Sequence, residues 1–96
     1  MAEGIRFASK AEARRFRELR LLQAAGEIQL LDLQPVYPLI VNGVQVGKYL
    51  ADFRYYRKDG ELVVEDVKGY SGDTSIYRLK RRIVQAQYAI QVVEIR

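Results

Sequence analysis

The stretch KYLADFRYYRKDGELVVEDVK, residues 48–68, decides the fold. Aromatic and β-branched residues dominate both of its halves, which favours β-strands, and Lys58-Asp59-Gly60 between them is typical of a tight turn. Glycine comes third in that turn, where a three-residue loop needs the left-handed conformation. The sequence therefore predicts an antiparallel hairpin of strands 48–57 and 61–68, in which Arg57 pairs with Glu61.

This register places two acids directly opposite each other. Asp52 faces Asp66, Lys68 lies two residues further along the same face of the strand, and Glu65 points to the other face. Two carboxylates about 5 Å apart repel by about 3 kcal/mol at an effective dielectric near 20. A divalent cation turns this repulsion into attraction, because Mg²⁺ prefers carboxylate and water oxygens. A two-residue loop is the alternative, and it would put Asp52 opposite Val67.

A helix is predicted over about residues 9–25. Ser9-Lys10-Ala11-Glu12 has the form of a capping box, and Phe16, Leu19 and Leu22 follow at about helical spacing. Glu12 falls on the inward face of this helix, one turn before Phe16. Two interpretations remain open for it: the carboxylate joins the acids of the hairpin, or it only closes the capping box onto the Ser9 amide.

The remaining patterns complete a mixed α/β arrangement. Residues 27–34 and 36–41 predict strands, the second bent or at an edge because of Pro35 and Pro38. A second helix is predicted over 74–88, with Ile76, Leu79, Ile83 and Ala86 as its apolar stripe, and a last strand over 90–95. The predicted order is α-β-β-β-β-α-β in a single domain, residues 1–96, with a central mixed sheet flanked by helices.

Composition excludes several kinds of site. The 96-residue sequence has no cysteine and no histidine, which rules out disulfides, thiolate metal sites and histidine-based triads. Hydrolytic chemistry would therefore depend on carboxylates, lysine, tyrosine or serine. No apolar stretch is long enough to span a membrane, so a soluble, cytoplasmic protein is expected.

The net charge of +4 is unevenly distributed, because the two predicted helices carry +3 and +4 and the rest of the chain −3. Basic helices around an acidic remainder suit a polyanionic partner, although two solvated helix faces would give the same pattern. Arg78, Arg81 and Arg82 are expected to project away from the apolar stripe toward phosphates, and Lys80 to lie nearer the sheet. Tyr70, in the loop after the strand 61–68, could stack on a base, whereas Tyr49, Tyr55 and Tyr56 are interpreted as hairpin packing.

The runs Tyr49-Leu-Ala-Asp52-Phe-Arg-Tyr55 and Val63-Val-Glu-Asp66-Val-Lys68-Gly69 resemble the PD-(D/E)XK nucleases. The small phage-encoded branch related to Holliday-junction resolvases is the most similar, and the resemblance extends from about residue 5 to 95. It also covers the segments Ser9–Glu12, Leu31–Pro35 (with Gln34) and Tyr77–Lys80. Ala51 replaces the proline that names the motif, and Asp66 replaces the commoner glutamate.

The resemblance implies a restriction-endonuclease-like core in which Asp52 and Asp66 bind Mg²⁺, or Mn²⁺ as a substitute. Lys68 would be the catalytic lysine and Glu12 a further ligand. The expected function is a metal-dependent endonuclease acting on branched DNA such as Holliday junctions, as a homodimer, in the cytoplasm of a bacterial or phage-infected cell. The alternatives are a nuclease of flap, nicked or linear duplex DNA, a non-catalytic nucleic-acid-binding module, and a structural protein of a phage particle.

Overall fold

The computed structural model describes residues 7–68 and 74–96. In these ranges none of the helices is long and apolar enough to cross a membrane. The described chain forms two helices and six strands, in the order α1 (Lys10–Ala24), β1 (Ile28–Leu33), β2 (Val36–Val41), β3 (Val44–Leu50), β4 (Phe53–Arg57), β5 (Leu62–Val67), α2 (Ser75–Tyr88) and β6 (Val92–Ile95).

The main sheet has four strands in the order β1-β4-β5-β6, and a separate two-stranded sheet joins β2 to β3. Strands β1, β4 and β5 pair antiparallel, whereas β6 runs parallel to β5, so the predicted mixed sheet is confirmed. Val63 packs with the core beneath α1, and its neighbour Val64 packs with the core beneath α2. Because adjacent strand residues face opposite sides, the two helices cover opposite faces of the sheet.

The predicted register of the hairpin is confirmed. Phe53 pairs with Glu65 and Tyr56 with Leu62, and the Arg57 amide donates to the Glu61 carbonyl at 2.9 Å. Gly60 has a φ of +90°, as the three-residue loop requires. This turn therefore fixes which residues of the two strands stand opposite each other.

The single strand predicted over residues 48–57 is wrong, because it divides at Ala51-Asp52 into β3 and β4. Here the backbone changes partners: the Ala51 amide donates to the Pro35 carbonyl at 3.2 Å, and the Asp52 amide donates to the Glu65 carbonyl at 3.0 Å. Pairing with β2 ends where pairing with β5 begins, so the continuous stretch 48–57 contributes a strand to each of the two sheets. The described residues therefore form one strand more than predicted.

The predicted apolar stripe of α2 is wrong for Ile76, Leu79 and Ala86, which are exposed, whereas Ile83 packs against the core as predicted. Ile76 and Leu79 are 67% and 58% exposed, whereas Val84 is completely buried. The inward face runs through Tyr77, Arg81, Val84 and Tyr88, at helical spacing. It includes polar groups that find partners, since the Tyr88 hydroxyl donates to the Pro38 carbonyl at 2.6 Å. Aliphatic periodicity alone missed a face built from tyrosine rings.

Candidate active site

Asp52 lies at the point where the chain crosses from the small sheet into β4. Its carboxylate accepts a hydrogen bond of 2.6 Å from the Val67 amide, which holds the side chain against the end of β5. The side chain is also within hydrogen-bonding contact of Asp66, the residue opposite it in the extended register. The two aspartates that the sequence predicted to face each other are therefore in contact.

Glu12 reaches the same place from α1. The Ser9 side chain caps this helix by accepting a hydrogen bond from the Glu12 amide at 3.1 Å, and its hydroxyl donates to the Glu12 carboxylate at 3.3 Å. The Glu12 side chain is 9% exposed and contacts Asp52. The Ser9 hydroxyl therefore caps the helix, and the Glu12 carboxylate lies beside the aspartates. Asp52 is in contact with both Glu12 and Asp66.

The electrostatics of this row of acids favour protonation. Burial raises the pKa of Asp66 to about 6, and the neighbouring Asp52 raises it as well, against the lowering effects of Tyr49 and Lys68. Burial also raises the pKa of Asp52, and Glu12 adds to that rise, although the Val67 amide opposes it. The cluster therefore carries more negative charge than its surroundings compensate, and this is the environment in which a bound cation is favourable.

Lys68 supplies a cation on the same face as Asp66. Its Nζ lies 3.5 Å from Asp66 Oδ1, and the side chain is only 5% exposed. The ammonium also sits 3.2 Å from the centre of the Tyr77 ring, a cation–π contact. The Tyr77 hydroxyl donates to Glu94 at 2.9 Å, which holds the ring in place. Lys68 is therefore positioned by packing rather than left on a flexible stem.

Tyr49 and Tyr77 are the site residues that sequence reasoning missed. The Tyr49 hydroxyl donates a short hydrogen bond to Asp66 Oδ2, and its ring is buried. Burial, followed by the bond to Asp66, raises the pKa of Tyr49 so that the phenol stays protonated as a donor. Tyr49 lies in β3 and Asp66 in β5, in different sheets. No spacing in the sequence indicates their contact, because it depends on how the two sheets pack.

The opposite face of β5 carries a separate ion pair. Arg15 of α1 binds the Glu65 carboxylate at two points, with distances of 2.8 Å and 2.6 Å. The Tyr55 hydroxyl donates to the same carboxylate, which is 1% exposed. Glu65 is thus fully engaged in fastening α1 to the sheet and does not belong to the acid cluster.

The basic residues predicted to bind nucleic acid divide into three groups. Arg78 and Arg82 are exposed, and Lys80 is half-buried beside the site. The prediction that Arg81 projects outward is wrong, because it lies on the inward face of α2 and pairs with Glu94 at 2.9 Å. Tyr70 lies outside the described residues.

The donor set suits a hard divalent cation with few protein ligands. Within the ranges that the structure describes, no group of three or more acids has the spacing to hold a metal ion by itself. Asp52 and Asp66 do form an adjacent pair of oxygen donors, with Lys68 as the cation that pairs with Asp66. Mg²⁺ is commonly held by one or two carboxylates together with waters and substrate phosphates. The pair fits that mode of binding, and Glu12 lies beside it in contact with Asp52.

The family comparison covers almost the whole chain, since the description "Protein of unknown function (DUF1064)" matches residues 1–95. The chain belongs to this family. Searches of curated proteins and of solved structures find no match. The DUF1064 description assigns no substrate or reaction, so the chemistry of the chain has to be inferred from the geometry around Asp52, Asp66 and Lys68.

Proposed function

We propose that the protein is a metal-dependent endonuclease that hydrolyses phosphodiester bonds of DNA. The observation that carries this proposal is the contact between the half-buried Asp52 and the buried Asp66, with the Lys68 ammonium 3.5 Å from Asp66. Two adjacent acids and one immobilised lysine are the groups needed to hold Mg²⁺ and stabilise charge on a phosphate. The resemblance of residues 49–69 to the PD-(D/E)XK nucleases supports the same chemistry.

Each side chain has a separate role in the proposed reaction. Asp52 and Asp66 would hold Mg²⁺, which supplies a Lewis acid that polarises the phosphate. Asp52 is kept in place by the Val67 amide, and Asp66 by the Tyr49 hydroxyl. The Lys68 ammonium stabilises negative charge that develops on the phosphate oxygens, and it needs no reorientation because Tyr77 already fixes it. Glu12 orients the attacking water from the side of α1.

Branched DNA such as a Holliday junction is the proposed substrate, with a homodimer as the acting form. Two sites related by a two-fold axis would suit symmetric cuts. The described surface offers apolar area for a second copy, since Val44 and Val46 on the β2–β3 hairpin are 62% and 61% exposed. Sedimentation of the protein with and without Val46→Asp tests the dimer, and a monomeric wild type would contradict it. The proposed compartment is the cytoplasm of a bacterial or phage-infected cell.

The deciding experiment is cleavage of labelled four-way junction, flap, nicked and linear duplex DNA, with Mg²⁺ and with chelator. Asp66→Asn and Lys68→Ala are expected to reduce the rate by at least about 10²-fold, as removal of groups that stabilise a transition state does. Lys58→Ala and Glu61→Gln are matched controls, because both side chains are exposed at the distant turn. Circular dichroism establishes that every variant is folded.

The outcomes separate the candidate functions. Mg²⁺-dependent cutting that both site variants lose and both controls keep supports the nuclease, and the preferred DNA identifies its substrate. Cutting that survives in Asp66→Asn and Lys68→Ala would mean that these residues are not the site. DNA binding in chelator without cutting under any condition would favour the non-catalytic binding module.

A further inference from the structure

A pocket lies between strand β3 and the beginning of α2, directly beside Asp66 and Lys68. Its volume is about 350 Å³. Lys48 stands on the β3 side and Lys80 on the α2 side, while Asp66 and Lys68 belong to β5 and the residue that follows its end. The remaining lining residues are Tyr49, Leu50, Thr74, Ile76 and Tyr77.

The charges around this pocket favour an anion. Lys48, Lys68 and Lys80 line it together with a single acid, Asp66. Within residues 7–68 and 74–96, neither the Lys48 nor the Lys80 ammonium forms an ion pair with a carboxylate. Lys48 is exposed and Lys80 half-buried, so both remain accessible to a ligand. A phosphate group is a strong acceptor for such ammonium groups.

The pocket also offers apolar contacts at its rim. Leu50 and Ile76 are 47% and 67% exposed. Leu50 lies two residues after Lys48 in β3, and Ile76 lies one turn before Lys80 in α2. Apolar side chains next to cations suit a ligand that alternates charged and uncharged groups. A nucleic acid strand alternates phosphates with sugars and bases in this way.

We propose that Lys48 and Lys80 form a two-sided phosphate clamp, which holds a backbone phosphate of the substrate strand adjacent to the bond that is cut. This assignment rests on the proposed function for the identity of the ligand. Compared with the basic residues predicted from the sequence to contact nucleic acid, the clamp adds Lys48, which lies in strand β3. It omits Arg81, because the Arg81 guanidinium pairs with Glu94. The clamp places the DNA strand between β3 and α2, with the phosphate that is cut next to Asp66 and Lys68.

The clamp predicts a specific salt dependence of binding. The slope of log K against log salt is negative, and each phosphate contact that is lost makes it shallower by about 0.9, which corresponds to roughly tenfold weaker binding near 0.1 M salt. Lys48→Ala and Lys80→Ala are each expected to show this change, with the KM for cleavage rising by the same factor. Lys48→Arg and Lys80→Arg are expected to retain the slope because they keep the charge. Lys58→Ala, which removes the same charge at the distant turn, serves as the matched control.

The experiment is fluorescence anisotropy of one labelled DNA in chelator at several salt concentrations, followed by cleavage with Mg²⁺. If Lys48→Ala and Lys80→Ala bind as Lys58→Ala does while the wild type cuts DNA, the clamp is wrong and the nuclease stands. If wild-type binding depends on both lysines but nothing is cut, the clamp stands and the nuclease is wrong. A wild type that neither binds nor cuts any DNA overturns both.

Discussion

At the scale of single residues, the surroundings of Asp66 suit its carboxylate for holding a cation but destabilise its charged form in the folded protein. It is 7% exposed, accepts a bond from Tyr49, touches Asp52 and lies 3.5 Å from Lys68. One donor and one cation do not compensate for burial beside a second acid, and the pKa of Asp66 rises to about 6. A folded protein that keeps such a group stores electrostatic strain at this point.

That strain predicts how Asp66→Asn changes stability with pH. The pKa of Asp66 rises from 3.8 to about 6 in the folded state, so between these pH values the folded state binds more protons than the unfolded state. The free energy of unfolding therefore falls as pH rises through this window and stays lower above it. We expect Asp66→Asn to match the wild type near pH 4 and to exceed it by up to about 3 kcal/mol at pH 8.

Urea unfolding in chelator at both pH values measures this difference. Glu61→Gln, an exposed acid in the turn, is the control and is expected to show little dependence on pH. A difference between wild type and Asp66→Asn that is the same at pH 4 and pH 8 would contradict the prediction.

Tyr49 predicts a shift in the pH dependence of cleavage. Its hydroxyl lowers the pKa of Asp66 by donating to the carboxylate, so Tyr49→Phe is expected to raise that pKa further. Since protons compete with Mg²⁺ for the carboxylate, the acidic limb of the rate profile moves to higher pH. Tyr56→Phe, which changes an exposed ring of β4, leaves the limb in place. A profile that is unchanged in Tyr49→Phe would show that the hydroxyl does not tune Asp66.

The sequence predicted part of this residue-scale arrangement. The contact of Asp52 with Asp66 followed from one turn, because a hairpin register is set by counting residues from its loop. The inward position of Glu12 followed from helical spacing. The contacts of Tyr49 and Tyr77 did not follow, since each joins elements whose relative placement depends on the packed core. Arg81 was misplaced for the same reason.

At the scale of elements, the Arg15–Glu65 pair fastens α1 to β5. Glu65 is 1% exposed, and breaking a buried pair by removing one partner typically costs about 3–5 kcal/mol. We expect Arg15→Ala to lower the free energy of unfolding by that order. Glu65→Gln in the same chain should recover part of the loss, because it removes the uncompensated charge. Arg14→Ala, the exposed neighbour on α1, is the control.

Denaturant unfolding of the four proteins measures these changes. Because Glu12 lies one turn before Arg15, the same variant should also impair cleavage at temperatures where it remains folded. If Arg15→Ala proved as stable as Arg14→Ala, the pair would contribute little to the docking of α1.

The ends of the elements were predictable where the signals are local. Ser9 begins α1 and Thr74 begins α2, each by accepting a hydrogen bond from an amide three residues later. The break at Ala51-Asp52 was not predicted, since neither residue is a glycine or a proline, the strongest signals that a strand ends. It arises from a change of pairing partner, which is a tertiary event.

At the scale of the whole molecule, binding of a cation is expected to raise the melting temperature. A ligand that binds only the folded state at 100 times its Kd stabilises it by about 2.7 kcal/mol, and in a domain of this size each kcal/mol shifts the melting temperature by about 4–8 °C. We therefore expect Mg²⁺ to raise the melting temperature of the wild type at neutral pH. Calorimetry with Mg²⁺ and with chelator measures the shift.

The variant Asp52→Asn/Asp66→Asn provides the comparison. It should be more stable than the wild type in chelator and gain little from Mg²⁺. Equal Mg²⁺-induced shifts in both proteins would place the cation elsewhere on the molecule.

The architecture of the whole molecule was only partly predictable. Alternating helix and strand patterns, with β6 following α2, predicted a mixed sheet between helices. The partition of the strands into two sheets was not predicted, because it depends on which hydrogen bonds the residues on either side of Asp52 make. The pocket that contains Lys48 and Lys80 results from that partition.

The two faces of strand β5 serve different purposes, since one packs against α1 and the other carries the site, and this affects which substitutions the strand tolerates. Val63 and Glu65 face α1, while Val64, Asp66 and then Lys68 face α2 and the site. In a library of single substitutions along the strand, substitutions of the residues that face α1 should prevent folded protein from accumulating. Changes at Asp66 and Lys68 should yield abundant but inactive protein. Loss of abundance and loss of activity should therefore alternate from one codon to the next over residues 65–68, whereas Val64 is needed for folding because it is buried in the core beneath α2.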